Sequence, residues 1–177
     1  MQHDGDYNMY YTTDYNTPIG RLTLAADNHG DAITGAWFEG QKYFGGTSRH
    51  DFEEGRSLAV LDDARSWLDR YFSGEKPSPD ELPLAPYGSR FRQEVWRLLC
   101  EIPYGQVTTY GKLAAEAARK VGKEKMSAQA IGGAVGHNPI SVIIPCHRVI
   151  GADGSMTGYA GGIELKEWLF DHEGAIK

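Results

Sequence analysis

Cysteine is scarce in this chain, which has only Cys100 and Cys146 among its 177 residues. Two cysteines form at most one disulfide and cannot build a four-cysteine metal site. The first residues lack the basic and apolar stretches of a signal peptide, and the apolar runs elsewhere are too short to span a membrane. We therefore expect a cytoplasmic protein, associated with the nucleoid if the source is a prokaryote, with no membrane partner.

Basic residues are scarce in the first half of the chain. Residues 1–87 hold 7 Lys and Arg against 15 Asp and Glu, whereas residues 88–177 hold 11 against 9. Within residues 88–150 the basic side chains outnumber the acidic ones by nine to four. A polyanion is therefore expected to dock on the second half.

The first half has the pattern of a small sheet with one helix. The segments YYTTDY, GRLTLAAD and ITGAWFEG are rich in aromatic and β-branched residues, which is typical of antiparallel strands separated by turns. Apolar residues then recur at helical spacing from Leu58 to Phe72. The segment 73–89 contains four prolines and no regular period. These patterns predict an α/β domain over 1–87 and a second domain over 88–177.

The second half begins with helical patterns. A helix is predicted to start near Phe91 and to end before Pro103, and two short Ala-rich helices follow. Either Thr108 or Thr109 is expected to cap the first of these, and Ser127 the second. Two such helices in a basic region favour a helix-turn-helix, although the connection between them is long.

Glycine is abundant near the end of this region. Eight of the 22 glycines lie between Gly132 and Gly162, and Gly132-Gly133 falls inside a predicted helix, where each glycine costs about 1 kcal/mol relative to Ala. Such residues allow close approach of another backbone, which is either the protein core or DNA. On these residues alone, core packing is the preferred interpretation.

The most reactive side chains follow a predicted buried strand, Ser141–Ile144, which Pro145 ends. Cys146 comes next, beside His147 and Arg148, and these two cations are expected to lower the pKa of the thiol. Adjacent residues of a strand point to opposite faces. A turn at Pro145, or a bridging water, is therefore needed for Cys146 and His147 to exchange a proton.

A base of this kind requires a third group to orient it, and the last predicted helix offers three carboxylates. These are Glu164, Glu167 and Glu173. The spacing does not choose among them. A lone cysteine is more often a buried structural residue, and we adopt that interpretation for Cys100, which lies on an apolar helix.

The motifs of residues 88–174 together resemble those of the O6-alkylguanine-DNA alkyltransferases, also called methylated-DNA–protein-cysteine methyltransferases. The matching residues are Ile102-Pro103-Tyr104-Gly105, Thr109-Tyr110, Gly132-Gly133-Ala134, Asn138-Pro139, Pro145-Cys146-His147-Arg148-Val149-Ile150, Gly158-Tyr159-Ala160-Gly161-Gly162, Lys166-Glu167-Trp168-Leu169 and His172-Glu173-Gly174. The resemblance implies a ribonuclease-H-like domain, with a small antiparallel sheet and a helix, followed by a helical winged-helix domain.

The resemblance also implies a reaction and its residues. Cys146 corresponds to the acceptor of an alkyl group from O6 of guanine in an irreversible transfer. His147 is expected to deprotonate Cys146 through a water, and Glu173 to orient His147. The resemblance further identifies Asn138 as a hinge residue of the active-site turn and Tyr110 as a donor to the base.

The same resemblance implies contacts with the flipped base and with DNA. Tyr159 and the N–H of Ala160 are expected beside the departing O6, and the carbonyls of Cys146 and Val149 beside the exocyclic amine. Ser127 and Arg148 are also expected among the residues that bind substrate or DNA. Gln129 occupies the position at which many members have an arginine that intrudes into the duplex. Gln is shorter and uncharged, although its amide can bond the orphaned base.

Two other functions remain open at this point. One is a helix-turn-helix protein that binds DNA lesions without reacting, and the other is a cysteine hydrolase built on Cys146, His147 and Glu173. The preferred hypothesis is a monomeric repair protein that reacts once per molecule and whose partner is alkylated double-stranded DNA. It needs neither a cofactor nor a metal. The sequence leaves open whether O4-alkylthymine is also a substrate.

Overall fold

A computed structural model describes residues 9–46 and 51–175, which form two compact units. The first unit contains the described residues up to Tyr87 and the segment Pro139–Ile143. The second contains Gly88–Asn138 and the described residues from Ile144 onward. The segment Pro139–Ile143 lies inside the predicted second domain in sequence but belongs to the first unit.

The first unit is built on a four-stranded sheet. Its strands are β1 (Met9–Thr17), β2 (Gly20–Ala26), β3 (Ile33–Phe38) and β4 (Asp51–Glu54), in the order β3-β2-β1-β4. The first three strands are antiparallel neighbours, as predicted, but β4 pairs in parallel with β1. The parallel strand β4 was not predicted. The sequence of β4, DFEE, is fully exposed and has no alternation of apolar and polar residues that would indicate a strand.

One amphipathic helix, α1 (Ala59–Phe72), contacts β1, β2 and β3. Its buried residues are Val60, Leu61, Ala64, Trp67, Leu68 and Tyr71. Four of them, Leu61, Ala64, Leu68 and Tyr71, belong to the spacing that predicted the helix. Polar contacts add to this packing, because the Tyr15 hydroxyl donates to Asp69 over 2.5 Å and Arg65 donates to the Asp14 carbonyl over 2.7 Å.

Two irregular segments cover the edge of β3. Ile33 bonds through its backbone to Pro83 and Ala85, and Ala36 accepts from the Ser141 N–H over 2.9 Å. The predicted strand Ser141–Ile144 is wrong, because the pairing is limited to one bridge at Ile140 and the chain then turns. Val142 has a φ of 71°, an unfavourable conformation for a β-branched residue. Complete burial of this apolar run, rather than strand pairing, explains its composition.

The second unit is mainly helical. Its elements are α2 (Arg90–Cys100), β5 (Thr108–Thr109), α3 (Tyr110–Lys120), α4 (Ala128–Gly136), β6 (Val149–Ile150) and α5 (Ile163–His172), and β5 pairs with β6 in parallel. Hydroxyl caps begin three of the helices. Ser89 accepts from the Arg92 N–H, Thr109 from that of Lys112 and Ser127 from that of Ala130. No helix in the described part of the chain is long and apolar enough to cross a membrane.

Helix α4 has one buried and one exposed face. Ile131, Ala134 and Val135 are buried, and the Trp96 indole donates to the Ala134 carbonyl over 2.8 Å. The opposite face includes Gly133, where an added Cβ would meet no atom within 4 Å, and the same holds for Gly132. Core packing therefore does not explain these glycines, and that interpretation is wrong. They leave a low, open surface on the helix.

Candidate active site

The backbone turns sharply at Cys146. Pro145 is followed by a single 3-10 turn, Cys146–Arg148, in which the Arg148 N–H donates to the Pro145 carbonyl over 3.0 Å. The Cys146 N–H donates to the Ile144 carbonyl over 2.8 Å. The turn expected at Pro145 is therefore present, and it buries both reactive side chains. Cys146 is 4% exposed and His147 is 0% exposed.

Asn138 holds this turn by its side chain. Its Nδ2 donates to the Ile144 carbonyl over 2.9 Å and to Cys146 Sγ over 3.2 Å. Asn138 follows the end of α4 and is 3% exposed. One amide therefore ties the backbone before the cysteine and contacts its sulfur.

His147 is bound by Glu173 and not by the two other carboxylates of the last helical segment. His147 Nε2 lies 2.5 Å from Glu173 Oε2, and both side chains are fully buried. Glu164 and Glu167 are exposed on α5, whereas Glu173 lies at its C-terminal end. Burial lowers the pKa of His147, against the opposing effect of Glu173, so the imidazole is neutral near pH 7.

Arg148 lies in the protein interior, contrary to the expectation that it binds substrate or DNA. Its side chain is 6% exposed, and its Nε donates to Glu173 Oε1 over 2.8 Å. Its Nη1 donates to the Ile102 carbonyl over 2.7 Å, and the Gly105 N–H also donates to Glu173 over 3.1 Å. Although burial raises the pKa of Glu173, the bonds from His147 and Arg148 outweigh it, so the pKa falls well below its usual range.

Burial raises the pKa of the Cys146 thiol, which reverses the predicted direction. The prediction relied on His147 and Arg148, but His147 is neutral and Arg148 is paired with Glu173. Two other groups lower the thiol pKa, namely the Asn138 amide and the Lys166 ammonium. Lys166, which belongs to α5 and was not predicted as a site residue, donates to the Thr157 carbonyl over 2.7 Å and to the Tyr110 hydroxyl over 3.4 Å.

Tyr110 opens α3 and faces the same region. Its hydroxyl donates to the Thr157 carbonyl over 2.7 Å, and burial together with the Cys146 charge raises its pKa to about 12. The loop that carries Thr157 approaches so closely that a Cβ on Gly158 would lie 2.8 Å from the Tyr110 hydroxyl. Gly158 has a φ of 77°, so both its backbone and its contact with Tyr110 favour glycine.

The remaining predicted residues lie on several elements. Val149 is buried in β6, and its N–H donates to the Cys146 carbonyl, which retains a second lone pair for a ligand. Tyr159 is 7% exposed and Ala160 is half-buried in the loop before α5. Ser127 and Gln129 are exposed at the start of α4, and no hydrogen bond or ion pair in the described structure connects them to the thiol.

Both cysteines are free thiols. Residues 9–46 and 51–175 contain no group of three or more His, Cys, Asp or Glu side chains that could hold a metal ion.

Two family models match the chain. The profile described as "6-O-methylguanine DNA methyltransferase, ribonuclease-like domain" matches residues 9–86, and "6-O-methylguanine DNA methyltransferase, DNA binding domain" matches residues 90–175. The chain belongs to the 6-O-methylguanine DNA methyltransferase family. This finding agrees with the resemblance seen in the motifs and extends it over the first unit.

Several members of the 6-O-methylguanine DNA methyltransferase family are similar over most of the chain. The methylated-DNA–protein-cysteine methyltransferase of Haemophilus influenzae is 42% identical over 165 residues, which cover 93% of this chain and 86% of the relative. That of Shigella flexneri is 51% identical over 109 residues, covering 62% of this chain and 61% of the relative.

Solved structures of the family have the same fold. The crystal structure of Mycobacterium tuberculosis OGT in complex with DNA superposes with a TM-score of 0.75 at 41% identity, covering 94% of this chain and 92% of that one. The O6-methylguanine-DNA methyltransferase of Pyrococcus kodakaraensis gives a TM-score of 0.63 at 21% identity over 94% of this chain and all of that one, which shows a shared fold.

Proposed function

We propose that this chain repairs DNA by moving an alkyl group from O6 of guanine to Cys146 Sγ. The observation that carries the proposal is the buried thiol of Cys146. The thiol lies in the turn Cys146–Arg148, contacts the Asn138 amide, and is followed in sequence by His147, which contacts Glu173. In the transfer, the sulfur forms a bond to the alkyl carbon while the bond from that carbon to O6 breaks. The electron pair of the broken bond stays on the guanine.

His147 receives the thiol proton in this proposal. A neutral imidazole is a suitable acceptor, and its low pKa follows first from burial. Glu173 occupies Nε2, which leaves Nδ1 for the proton that arrives through a water. Glu173 then stabilises the imidazolium that forms.

The loop around Tyr159 and the first residue of α3 receive the leaving base. Tyr110 must redirect its hydroxyl from the Thr157 carbonyl to act as a donor to the base. The N–H of Ala160 and the Tyr159 side chain stabilise the charge that develops on O6, as hydrogen-bond donors do in an oxyanion hole. The Cys146 and Val149 carbonyls accept from the exocyclic amine.

Access to a buried thiol requires that the base leave the duplex. Attack on an alkyl group at O6 needs space that stacked base pairs do not provide, and flipping costs a few kcal/mol. The exposed face of α4, with Gln129 near its start and Gly133 along it, is low enough to lie in a minor groove. Gln129 then bonds the base left behind, without the charge that an arginine provides.

The reaction occurs once for each molecule. A thioether has no good leaving group, so nothing returns Cys146 to the thiol. A cytoplasmic location is part of the proposal, because the substrate is DNA and both cysteines are free thiols.

Intact-protein mass spectrometry after incubation with a duplex containing O6-methylguanine tests the proposal. We expect a gain of one methyl group per protein, which peptide mapping places on Cys146. Cys146→Ala should gain no mass while it keeps binding the duplex, and Cys100→Ala serves as the matched control that still gains one methyl. Methylation of the Cys146→Ala variant would contradict the assignment.

Unmodified protein that stays bound to the duplex would instead identify a lesion-binding protein. Gln129→Arg then distinguishes poor base flipping from an unreactive thiol. If flipping limits the reaction, this variant gains the methyl group. An unmodified Gln129→Arg protein would show that the thiol itself does not react.

A further inference from the structure

Helix α4 carries no charged residue. Its sequence is AQAIGGAVG, and Gln129 is the one polar side chain in it. Duplex DNA has one negative charge for about every 1.7 Å of its axis, and cations that neutralise these phosphates supply the affinity that does not depend on base sequence. A helix of this composition therefore needs cations from neighbouring residues to hold it on DNA.

Such cations directly precede α4. Residues 119–125, here called the basic turn, have the sequence RKVGKEK and run from the end of α3 to two residues before the Ser127 cap. Four of the seven residues are Arg or Lys, one is Glu, and all seven are exposed. Two residues of chain span at most about 7 Å, so the end of the basic turn lies close to the start of α4.

Backbone hydrogen bonds fix the start of the basic turn. The Val121 N–H donates to the Ala117 carbonyl over 3.2 Å, and the Lys123 N–H donates to the Ala118 carbonyl over 2.8 Å. Gly122 lies between them with a φ of 72°, a conformation that glycine adopts without steric cost. Helix α3 therefore ends in a closed turn, and the backbone of Lys123 is bonded to that end of the helix.

The charges of the basic turn are not paired within the described part of the protein. Other basic side chains there form ion pairs with carboxylates, namely Arg21, Arg56, Arg70, Arg97 and Arg148. Between described residues, no ion pair or side-chain hydrogen bond includes a cation of the basic turn. Arg119 and Lys120 complement the negative end of the α3 dipole. Lys123 and Lys125 lie beyond the helix, where this role does not account for them.

We propose that Lys123 and Lys125 bind phosphates of the DNA backbone beside the minor groove that receives α4. The minor groove is only about 6 Å wide, so a helix that lies in it has phosphates of both strands close to its ends. Such contacts fix the orientation of a protein on the duplex and carry no information about the bases. The inference rests on the proposed function, because it names the cations that bind the same DNA.

The test compares the double variant Lys123→Gln/Lys125→Gln with Lys42→Gln/Lys76→Gln, which removes the same charge from exposed positions of the first unit. Fluorescence anisotropy measures binding to a labelled, unmethylated duplex between about 50 and 200 mM KCl. Each phosphate contact contributes about 0.9 to the slope of log affinity against log salt concentration. We expect Lys123→Gln/Lys125→Gln to make this slope shallower by about 1.8, so the loss of affinity across the range should be about twelvefold smaller than in wild type.

The control variants decide whether this change comes from phosphate contacts. Lys42→Gln/Lys76→Gln and Lys123→Arg/Lys125→Arg should both keep the wild-type slope, since the first leaves the basic turn intact and the second keeps its charge. An unchanged slope in Lys123→Gln/Lys125→Gln would overturn the proposal. An equal change in Lys42→Gln/Lys76→Gln would also overturn it, because it would show an effect of net charge alone. A shallower slope in the Arg variant would show a structural role of the lysines and overturn it as well.

A second comparison tests whether the contact ignores the lesion. Binding is measured in the Cys146→Ala background, to a duplex with one O6-methylguanine and to the same duplex without it. Lys123→Gln/Lys125→Gln should weaken binding to both by the same factor, because phosphate contacts do not read the base. A loss confined to the methylated duplex would overturn the proposal, since it would place the lysines beside the flipped base.

Failure of this inference and failure of the proposed function give different results. If the wild type methylates Cys146 and the slope is the same in Lys123→Gln/Lys125→Gln, the basic turn does not bind phosphates and the repair function stands. If the slope changes as expected and the wild type gains no methyl group, the phosphate contacts stand and the transfer does not.

Discussion

Replacing Glu173 by Gln removes one charge from a fully buried network while it preserves the shape of the side chain. In the wild-type protein the carboxylate accepts from Arg148 Nε over 2.8 Å and from the Gly105 N–H over 3.1 Å, and it contacts His147 through its other oxygen. In Glu173→Gln the Arg148 guanidinium remains buried without an anion. We expect this uncompensated charge to dominate the effect on stability.

The magnitude follows from the burial of both partners. Breaking a buried ion pair by removing one charge costs about 3–5 kcal/mol. In a chain of this size, 1 kcal/mol shifts Tm by about 2–4 °C, so we expect Tm to fall by about 6–20 °C at pH 7. The depressed pKa of Glu173 means that its stabilising charge is fully present above the ordinary value of 4.5 and is lost as the pH falls below it. The difference between the proteins should therefore be constant above about pH 4.5 and shrink below it.

The assay is differential scanning calorimetry of Glu173→Gln and wild type between pH 4 and 8. Glu94→Gln is the matched control, since Glu94 pairs with Arg97 over 2.7 Å on the surface, where such pairs contribute about 0–1 kcal/mol. Equal losses of Tm in the two variants would refute the prediction, because the larger loss expected in Glu173→Gln is due to the buried charge of Arg148. Methyl transfer by Glu173→Gln should also slow by about a hundredfold or more, since His147 loses its orienting group.

Three further predictions follow from groups in the second unit. Burial keeps His147 neutral in the folded state, so below pH 6.5 the unfolded chain binds one more proton at this residue than the folded chain. The free energy of unfolding, measured in urea, should therefore fall by up to about 1.4 kcal/mol for each pH unit below 6.5. A free energy of unfolding that does not change with pH in this range would contradict the prediction. Gly158→Ala should weaken both stability and methyl transfer because the added Cβ meets Tyr110, whereas Gly162→Ala, at a φ of 98° but in open space, should lower stability alone. Gly133→Ala should raise helix stability by up to about 1 kcal/mol while lowering affinity for duplex DNA in a binding titration, and unchanged affinity would show that this face of α4 does not dock.

The elements with strong local patterns were predictable from the sequence. The spacing of apolar residues predicted α1, and hydroxyl residues marked the starts of α3 and α4, where the structure selects Thr109 over Thr108 as the cap. Strand β4 was missed because the short exposed run DFEE has no periodic signal. The segment after Asn138 was mistaken for a strand because its β-branched residues are buried for another reason, a turn packed into the first unit.

The sequence predicted the cluster of Cys146, His147 and Glu173 among its alternatives, but it did not predict the charges around the thiol. The adjacent Cys146 and His147 and the break at Pro145 pointed to a turn, which is present. The pKa of the thiol was predicted in the wrong direction because Arg148 pairs with Glu173, which is distant in sequence, and so does not act on the neighbouring thiol. Lys166 did leave a signal, since it lies three residues before the buried Leu169 and therefore on the inner face of α5.

The membership of Pro139–Ile143 in the first unit has a consequence for synthesis of the chain. The edge of β3 is completed by residues that leave the ribosome after α2, α3 and α4 have been made. At about 5–20 residues per second, the ribosome needs about 3–11 seconds to pass from Tyr87 to Ile143. During this interval the part of the β3 edge around Ala36 lacks its partner, although Pro83 and Ala85 can already bond to Ile33. The last backbone hydrogen bonds of the first unit form only when the chain that leads to the reactive cysteine has emerged.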